Sequence, residues 1–201
     1  MKLLDAHVKL SSLKQPLLNT SDVSACLRIT LTHASKILGR LAEAGLWVQL
    51  ARSRWALPTQ VDPLLIPEFI TAPFPTYISL QTALYYHGMI SQIPSIMYAI
   101  SLNRTHQYTT QLGVISIHRI KPDFFFGFKP FGKSQVKMAS AEKALLDIFY
   151  LSPTTTSLFK SLPELEIPSH FRAREAWRMV KKISSQRLQT IVSEKLKNVL
   201  K

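Results

Sequence analysis

Between Thr20 and Leu57 the sequence places two short segments with helix-capping signals ahead of a segment with hairpin spacing. Thr20 or Ser21 precedes residues 22–27, so a side-chain hydroxyl can accept a hydrogen bond from a free amide of the first helical turn. Thr30 offers a second cap. Apolar residues then recur at steps of three and four, at Leu31, Ala34, Leu38 and Leu41. This spacing predicts a second helix whose apolar stripe is buried against the helices before it.

The stretch after this helix has the pattern of a β-hairpin. Gly45 is placed to end the helix in a left-handed conformation. Residues 46–50 and 54–57 are then two apolar segments around the turn 51–53. The order of capped helix, capped helix and hairpin predicts a winged helix-turn-helix over residues 1–58, with the hairpin as the wing.

The outward face of the second helix predicts a contact with DNA. It carries hydrogen-bonding and basic side chains from the first turn onward: Thr32, His33, Ser35, Lys36 and Arg40. Near the hairpin tip, Arg52 and Arg54 are suited to phosphates or to a narrow minor groove, where a charge supplies affinity but little sequence information. Any one of these residues is equally typical of a solvated helix face, and winged helices can also bind protein or RNA. The joint pattern therefore carries the prediction.

The charge balance favours a polyanionic partner. The chain has 25 Lys and Arg against 12 Asp and Glu, a net charge of +13 and an isoelectric point near 10.0. The excess is largest at the two ends, because residues 1–60 and residues 161–201 each carry +5 while the middle carries +3. Nucleic acid is the first candidate, although a basic surface can also face an acidic protein.

The remaining composition limits the class of protein. The single cysteine, Cys26, excludes an internal disulfide framework and fits a reducing compartment. The start of the chain lacks the long apolar core of a signal peptide, and no stretch approaches the roughly 18 to 20 apolar residues of a spanning helix. We therefore expect a cytoplasmic protein without a membrane partner.

The rest of the chain predicts a second domain of the α+β class. Prolines at five positions between 58 and 75 predict a linker over 59–76, packed as a strap on one domain. Residues 77–201 are expected to form a mixed α/β domain with a small antiparallel sheet and C-terminal helices. The predicted elements are a first helix at 2–13, a short strand at Leu17 and Leu18, a helix at 80–87 capped by Ser79, strands at 96–101, 114–120 and 124–128, a helix at 141–150 capped by Ser140, a polar loop at 154–157, and a helical tail from 171 to 200 with a break at 184–185.

Residue spacing gives no sign of catalysis. The six histidines lack the close spacing of a helical metal pair, and the glycines form no phosphate loop. Glu142 and Asp147 invite a nuclease interpretation, but five residues on a helix rotate by about 140°, so the two do not share a face. Helix capping and a surface ion pair explain them better, and His87 at a helix end is interpreted as structural. We therefore expect that the protein is not an enzyme and that it binds neither a metal ion nor a cofactor.

Several sequence blocks of the second half resemble a known family when taken in order. They are residues 77–84 with His87-Gly88, then Ile93-Pro94, then residues 119–122 with 125–128, then residues 139–147. This arrangement resembles the AbiEi family, the antitoxins of bacterial abortive-infection (type IV) toxin-antitoxin systems. The resemblance implies a winged helix that binds inverted repeats in double-stranded DNA and represses its own operon. It also implies a C-terminal domain that counteracts a nucleotidyltransferase-like toxin, with or without direct contact.

Two other classes stay open on the sequence. A ligand-responsive winged-helix transcription factor without a toxin partner would need a concave apolar pocket in the second domain. A nuclease with a DNA-binding arm would need carboxylates that converge on a metal site.

Overall fold

The structure of the chain is a computed structural model that describes residues 2–134, 136–153 and 164–201. Over these residues the chain forms eight α-helices, a three-stranded sheet and a six-stranded sheet, which confirms the predicted α+β class. The polar loop predicted at 154–157 lies outside the described residues. Within the described part of the chain, no helix combines the length and the apolar character that crossing a membrane requires.

Three helices and a small antiparallel sheet form the N-terminal part. The helices are α1 (Leu3–Ser11), α2 (Thr20–Leu27) and α3 (Leu31–Glu43). The strands are β1 (Leu17–Asn19), β2 (Val48–Ala51) and β3 (Arg54–Ala56), in the order β1-β3-β2. The short strand predicted at Leu17 and Leu18 is confirmed, and it pairs with the second strand of the predicted hairpin.

The start of α2 differs from the prediction by one residue. Asn19 is the N-cap residue, and its backbone amide donates to the carboxylate of Asp22 at 2.7 Å. The Thr20 hydroxyl has a different role, because it accepts a hydrogen bond from Nε1 of Trp55 at 3.0 Å inside the N-terminal core. Thr20 therefore joins the start of α2 to the small sheet.

The predicted limits of α3 are confirmed. The Thr30 hydroxyl accepts from the backbone amide of His33, and Gly45 follows the helix with a φ of +70°. Behind the outward face of α3, the apolar side chains of the three helices and the sheet form one core. Its largest members are Leu10, Leu18, Leu38, Leu41, Trp47 and Trp55.

The proline-rich segment is folded. Residues Pro63–Leu65 form a 3₁₀ turn, and α4 (Ile66–Thr71) follows directly. Pro67 lies in the first turn of α4, where backbone amides have no acceptor within the helix. The absence of an amide hydrogen in proline therefore costs no helical hydrogen bond at this position. Ile66 and Ile70 are buried in the core of the larger sheet, so this segment is a packed connection, as the apolar residues of the predicted strap suggested.

The larger sheet is mixed. Its strands are β4 (Thr76–Ile78), β5 (Ile96–Ser101), β6 (His106–Thr110), β7 (Gly113–Arg119), β8 (Phe128–Phe131) and β9 (Val136–Ala139), in the order β6-β7-β5-β4-β9-β8. The prediction of an antiparallel sheet is wrong, because β5 pairs with β7 and β4 pairs with β9 in parallel. In the first case β6 occupies the sheet edge and β7 inserts between β6 and β5, which sets β7 parallel to β5.

The strand predicted at 124–128 is also wrong. Residues Pro122–Phe124 form a 3₁₀ turn, and β8 begins only at Phe128. The Phe124 ring is fully buried and stacks on Tyr150, with ring centroids 4.7 Å apart. Core packing of this ring therefore decides the backbone path that the aromatic composition alone assigned to a strand.

Four helices complete the C-terminal part. They are α5 (Leu80–Tyr86), α6 (Ala141–Leu151), α7 (Ala173–Val180) and α8 (Gln186–Val199). The cap predicted at Ser140 is confirmed, since its hydroxyl accepts from the amide of Lys143, and the predicted break falls between α7 and α8. Every residue of α6 is buried, because α5, α7 and α8 all pack on it.

The small sheet is packed on both faces. Leu18 and Trp55 point into the N-terminal core, whereas Val48, Leu50 and Ala56 belong to the core of the larger sheet. Strand β2 also lies beside β6. The hairpin is therefore held between two cores, and the N-terminal and C-terminal parts of the chain are in direct contact.

Candidate nucleic-acid interface

The outward face of α3 is fully available to a partner. All five polar residues that the sequence assigned to this face are exposed: Thr32, His33, Ser35, Lys36 and Arg40. The opposite face is buried through Ala34, Ile37, Leu38 and Leu41. This division follows the helical period of 3.6 residues, so burial of the apolar stripe fixes the direction of the polar side chains.

An open groove runs between the first turn of α3 and the hairpin. It has a volume of about 510 Å³ and is lined by Asn19, Thr20, Ser21, Leu31, Thr32, Ser35 and Ser53. Ser53, at the tip of the hairpin, accepts a hydrogen bond on its carbonyl from the Thr20 amide at 3.0 Å. This bond holds the hairpin tip against the start of α2, and the groove is therefore bounded by two fixed walls.

Leu31 departs from its predicted position. The sequence placed it in the buried stripe of α3, but its side chain is 58% exposed. The stripe is covered by α1, α2 and the small sheet only from Ala34 onward, and Leu31 lies one turn before that point. The first residue of α3 is thus an apolar side chain on the wall of a polar groove.

Gly39 lies on the same outward face, one turn after Ser35. A Cβ built at this position meets no atom within 4 Å, so the fold itself does not require a glycine here. A glycine inside a helix lowers helix stability by about 1 kcal/mol relative to alanine. The absence of a side chain leaves the helix backbone open to close approach from outside.

The two arginines predicted near the hairpin tip have different environments. Arg52 is exposed in the turn beside Ser53. The Arg54 guanidinium instead donates to the carbonyl of Ala72 at 2.6 Å and to that of Phe69, and it lies 5.3 Å from the centroid of the Phe69 ring. These carbonyls are at the C-terminal end of α4, where a positive charge is favourable. Arg54 therefore joins the hairpin to α4, a contact that no local pattern reveals.

We expect Arg54→Ala to lower the free energy of unfolding by about 1–2 kcal/mol, because two carbonyls lose a charged donor. Arg52→Ala removes the same charge from an exposed position and should stay within about 0.5 kcal/mol of the wild type. Urea unfolding of both variants measures the difference. Equal unfolding midpoints for the two variants would contradict the role assigned to Arg54.

A second polar cluster lies in the core of the C-terminal part. Lys143 Nζ and a carboxylate oxygen of Asp147 form an ion pair, and both side chains are 0% exposed. The same carboxylate accepts from the Ser79 hydroxyl at 2.7 Å and the Tyr77 hydroxyl at 3.0 Å. Nζ also lies 3.9 Å from the centroid of the Phe124 ring. The prediction of a surface ion pair for Asp147 is wrong, because neither side chain of the pair is exposed to solvent.

Burial governs the protonation of this cluster. Desolvation raises the pKa of Asp147 and lowers that of Lys143, while the charge of each partner opposes the shift of the other. Desolvation and the charge of Asp147 both raise the pKa of Tyr77. Gly127 (φ +80°) is needed beside the pair, since a Cβ there would lie 3.0 Å from Cγ of Lys143. A cluster sealed in this way has no access for a substrate, so we assign it to the stability of the fold.

Glu142 has surroundings unlike those of Asp147. It lines a cleft of about 560 Å³ between α6 and the segment before α7, together with His87, His170, Lys129 and Arg172. Its carboxylate accepts from the backbone amide of Arg172 at 2.7 Å. Burial raises the pKa of Glu142, but this hydrogen bond, those from Ser140 and from its own backbone amide, and the nearby His87 together outweigh it, so its pKa is lowered from its ordinary value. Glu142 and Asp147 therefore have separate partners, as their helical offset predicted.

His87 has a structural contact. Its Nε2 lies 2.7 Å from the Ala139 carbonyl, and because a carbonyl only accepts, this nitrogen carries the proton. The bond joins the end of α5 to the end of β9. Across the described residues, no group of three or more His, Cys, Asp or Glu side chains is arranged to hold a metal ion.

Comparison of the sequence with models of known protein families finds no match, and neither does comparison with curated proteins. The likeness of the sequence blocks to the AbiEi family is thus an expectation from those residues alone.

Proposed function

We propose that residues 1–58 form a winged helix-turn-helix that binds double-stranded DNA, with α3 in the major groove and the β2-β3 hairpin as the wing. The order α1, β1, α2, α3, β2, β3 and the antiparallel sheet support this proposal. The observation that carries it is the groove between the first turn of α3 and the hairpin tip, which is lined by polar side chains and Leu31, while Lys36 and Arg40 of α3 and Arg52 of the hairpin turn are exposed.

The proposed contacts divide into two kinds. Thr32, His33 and Ser35 are at the N-terminal end of α3, the part of a recognition helix that reaches base edges. Lys36, Arg40 and Arg52 supply positive charge for the phosphate backbone, which gives affinity and a dependence on salt. The net charge of +13 adds long-range attraction to DNA.

The proposed target is the promoter of the chain's own operon, at inverted repeats bound by two copies of the chain. A reporter gene fused to the DNA upstream of the chain's own gene tests this repression. We expect reporter expression to fall when the full chain is supplied. Unchanged expression at a protein level confirmed by immunoblot would count against autorepression.

Gly39 provides an independent test of the face. We expect Gly39→Ala to raise the free energy of unfolding by about 0.5–1 kcal/mol, because alanine favours the helix. The same variant should bind the upstream DNA more weakly, on the order of tenfold, since the added methyl group meets a closely packed surface. Urea unfolding and fluorescence anisotropy measure the two effects. A stabilised variant with wild-type affinity would show that DNA does not approach α3 at this position.

We further propose that the C-terminal part acts as an antitoxin against a nucleotidyltransferase-like toxin. The proposal rests on the sequence blocks that resemble the AbiEi family. Two of these blocks form α5 and α6, and the hydrogen bond from Ser79 to Asp147 joins them. A third block ends at Phe128, whose ring stacks on that of Tyr77 with the ring centroids 4.7 Å apart. The blocks thus form one packed unit.

Co-expression with the neighbouring gene tests the antitoxin role. The full chain is the right reagent, because the small sheet contributes Val48 and Leu50 to the C-terminal core. We expect the full chain to restore growth against toxicity of that gene product, and the variant Lys36→Ala/Arg40→Ala to restore it equally when expressed from an unrelated promoter. Absence of rescue by the wild-type chain would end the antitoxin proposal without affecting DNA binding.

A ligand-responsive repressor without a toxin partner is the second candidate. The cleft of about 560 Å³ beside Glu142 favours it, because this volume is in the range of small-molecule sites. Its lining combines apolar side chains such as Phe128 and Met179 with four charged ones, Lys129, Glu142, Arg172 and Glu175, so a ligand there would carry both apolar and charged groups. The co-expression experiment separates the two candidates, since a plain repressor would not neutralise the neighbouring gene product.

A further inference from the structure

Leu31 is the one apolar side chain of the α3 stripe that the fold leaves uncovered. It is 58% exposed and lines the groove together with Thr32, Ser35 and Ser53. The cap of α3 is made by Thr30 and does not involve the Leu31 side chain. The fold therefore gives no reason for a leucine at this position, where a polar residue would be solvated at no cost.

The position of Leu31 indicates what could cover it. If α3 enters the major groove, its first turn comes closest to the base edges. The thymine C5-methyl group is the apolar feature of the major-groove floor, and an apolar side chain can contact it. Polar neighbours such as Thr32 and Ser35 are suited to hydrogen-bonding groups of adjacent bases, which leaves the methyl group to Leu31.

We propose that Leu31 determines specificity by contacting a thymine methyl group in the operator. This inference rests on the proposed DNA binding by α3. It assigns Leu31 to the interface in place of the core position that its spacing predicts. Burial of one methyl group against an apolar side chain strengthens binding by about fourfold.

The test compares two versions of the DNA upstream of the chain's own gene. One duplex contains thymine, and in the other every thymine is replaced by deoxyuridine, which lacks the methyl group and keeps the pairing edge. Fluorescence anisotropy gives the affinity of the full chain for both. We expect the wild type to bind the deoxyuridine duplex at least about fourfold more weakly. Leu31→Ala should bind the thymine duplex more weakly than the wild type does and should lose most of the difference between duplexes.

Leu4→Ala is the matched control, because Leu4 is 66% exposed on α1 and does not line the groove. It should keep the wild-type preference for the thymine duplex. An equal preference in Leu31→Ala and the wild type, or equal affinity of the wild type for both duplexes, would overturn the assignment of Leu31 while leaving DNA binding intact. Failure of the wild type to bind the thymine duplex at all would overturn the proposed DNA binding, and this inference with it.

Discussion

Replacing Asp147 by alanine is expected to lower the free energy of unfolding by about 3–5 kcal/mol, the largest effect of any single substitution proposed for this chain. The substitution leaves the Lys143 ammonium buried without its ion-pair partner, and it removes the acceptor of the Tyr77 and Ser79 hydroxyls. Urea unfolding measures the change through the transition midpoint. A loss below about 1 kcal/mol would contradict the sealed cluster, because that is the range of an exposed ion pair.

A double-mutant cycle distinguishes the ion pair from simple loss of packing. Lys143→Met and Asp147→Asn each leave an uncompensated group in the core, whereas the double variant leaves no charge there. The asparagine keeps an oxygen that can accept from Tyr77 and Ser79. We therefore expect each single variant to be strongly destabilised and the double variant to recover most of the loss. Additive effects would show that the two side chains contribute independently.

The variant Lys36→Ala/Arg40→Ala is expected to bind the upstream DNA roughly hundredfold more weakly than the wild type, since two charged contacts to phosphate are lost. Both side chains are exposed, so the free energy of unfolding should change by less than about 1 kcal/mol. The slope of log affinity against log salt should become shallower by about 1.8, which corresponds to two phosphates. Anisotropy titrations between low and moderate salt give both quantities.

The matched control for this variant is Arg187→Ala/Lys197→Ala, which removes the same charge from exposed positions on α8. If DNA binds at the α3 face, the control should bind the upstream DNA only slightly more weakly than the wild type, because only the net charge is reduced. Its slope of log affinity against log salt should stay that of the wild type. Equal losses in the two double variants would mean that affinity comes from general positive charge and not from α3.

Much of the N-terminal part follows from local sequence signals. The cap at Thr30 and the left-handed Gly45 depend only on neighbouring backbone, and both are confirmed. The division of α3 into buried and exposed faces depends on the helical period and is largely confirmed. The exposure of Leu31 could not be predicted in this way. The helical period predicts which face of α3 a residue lies on, but it does not predict where along α3 the elements that cover that face end.

The exceptions depend on contacts between distant segments. Arg54 has the spacing of a hairpin-tip residue, and only the position of α4 gives it two carbonyl acceptors. Asp147 has the helical spacing of a surface residue, but α6 is enclosed by three helices. Between Ala144 and Leu151 every residue except Asp147 is apolar. Apolar residues on all faces of a helix indicate that the whole helix is buried, and this pattern could have predicted the burial of Asp147. The parallel pairing of β5 with β7 likewise depends on the order of the strands in the sheet, where β7 lies between β6 and β5.

Sequence-specific DNA binding is the central claim, and one titration tests it most directly. Fluorescence anisotropy of the full chain is measured at moderate salt with the duplex upstream of its own gene and with a shuffled duplex of the same length and composition. We expect the upstream duplex to bind tighter than the shuffled duplex by roughly a thousandfold or more, the range that separates specific from non-specific binding. Equal affinity for the two duplexes would contradict it.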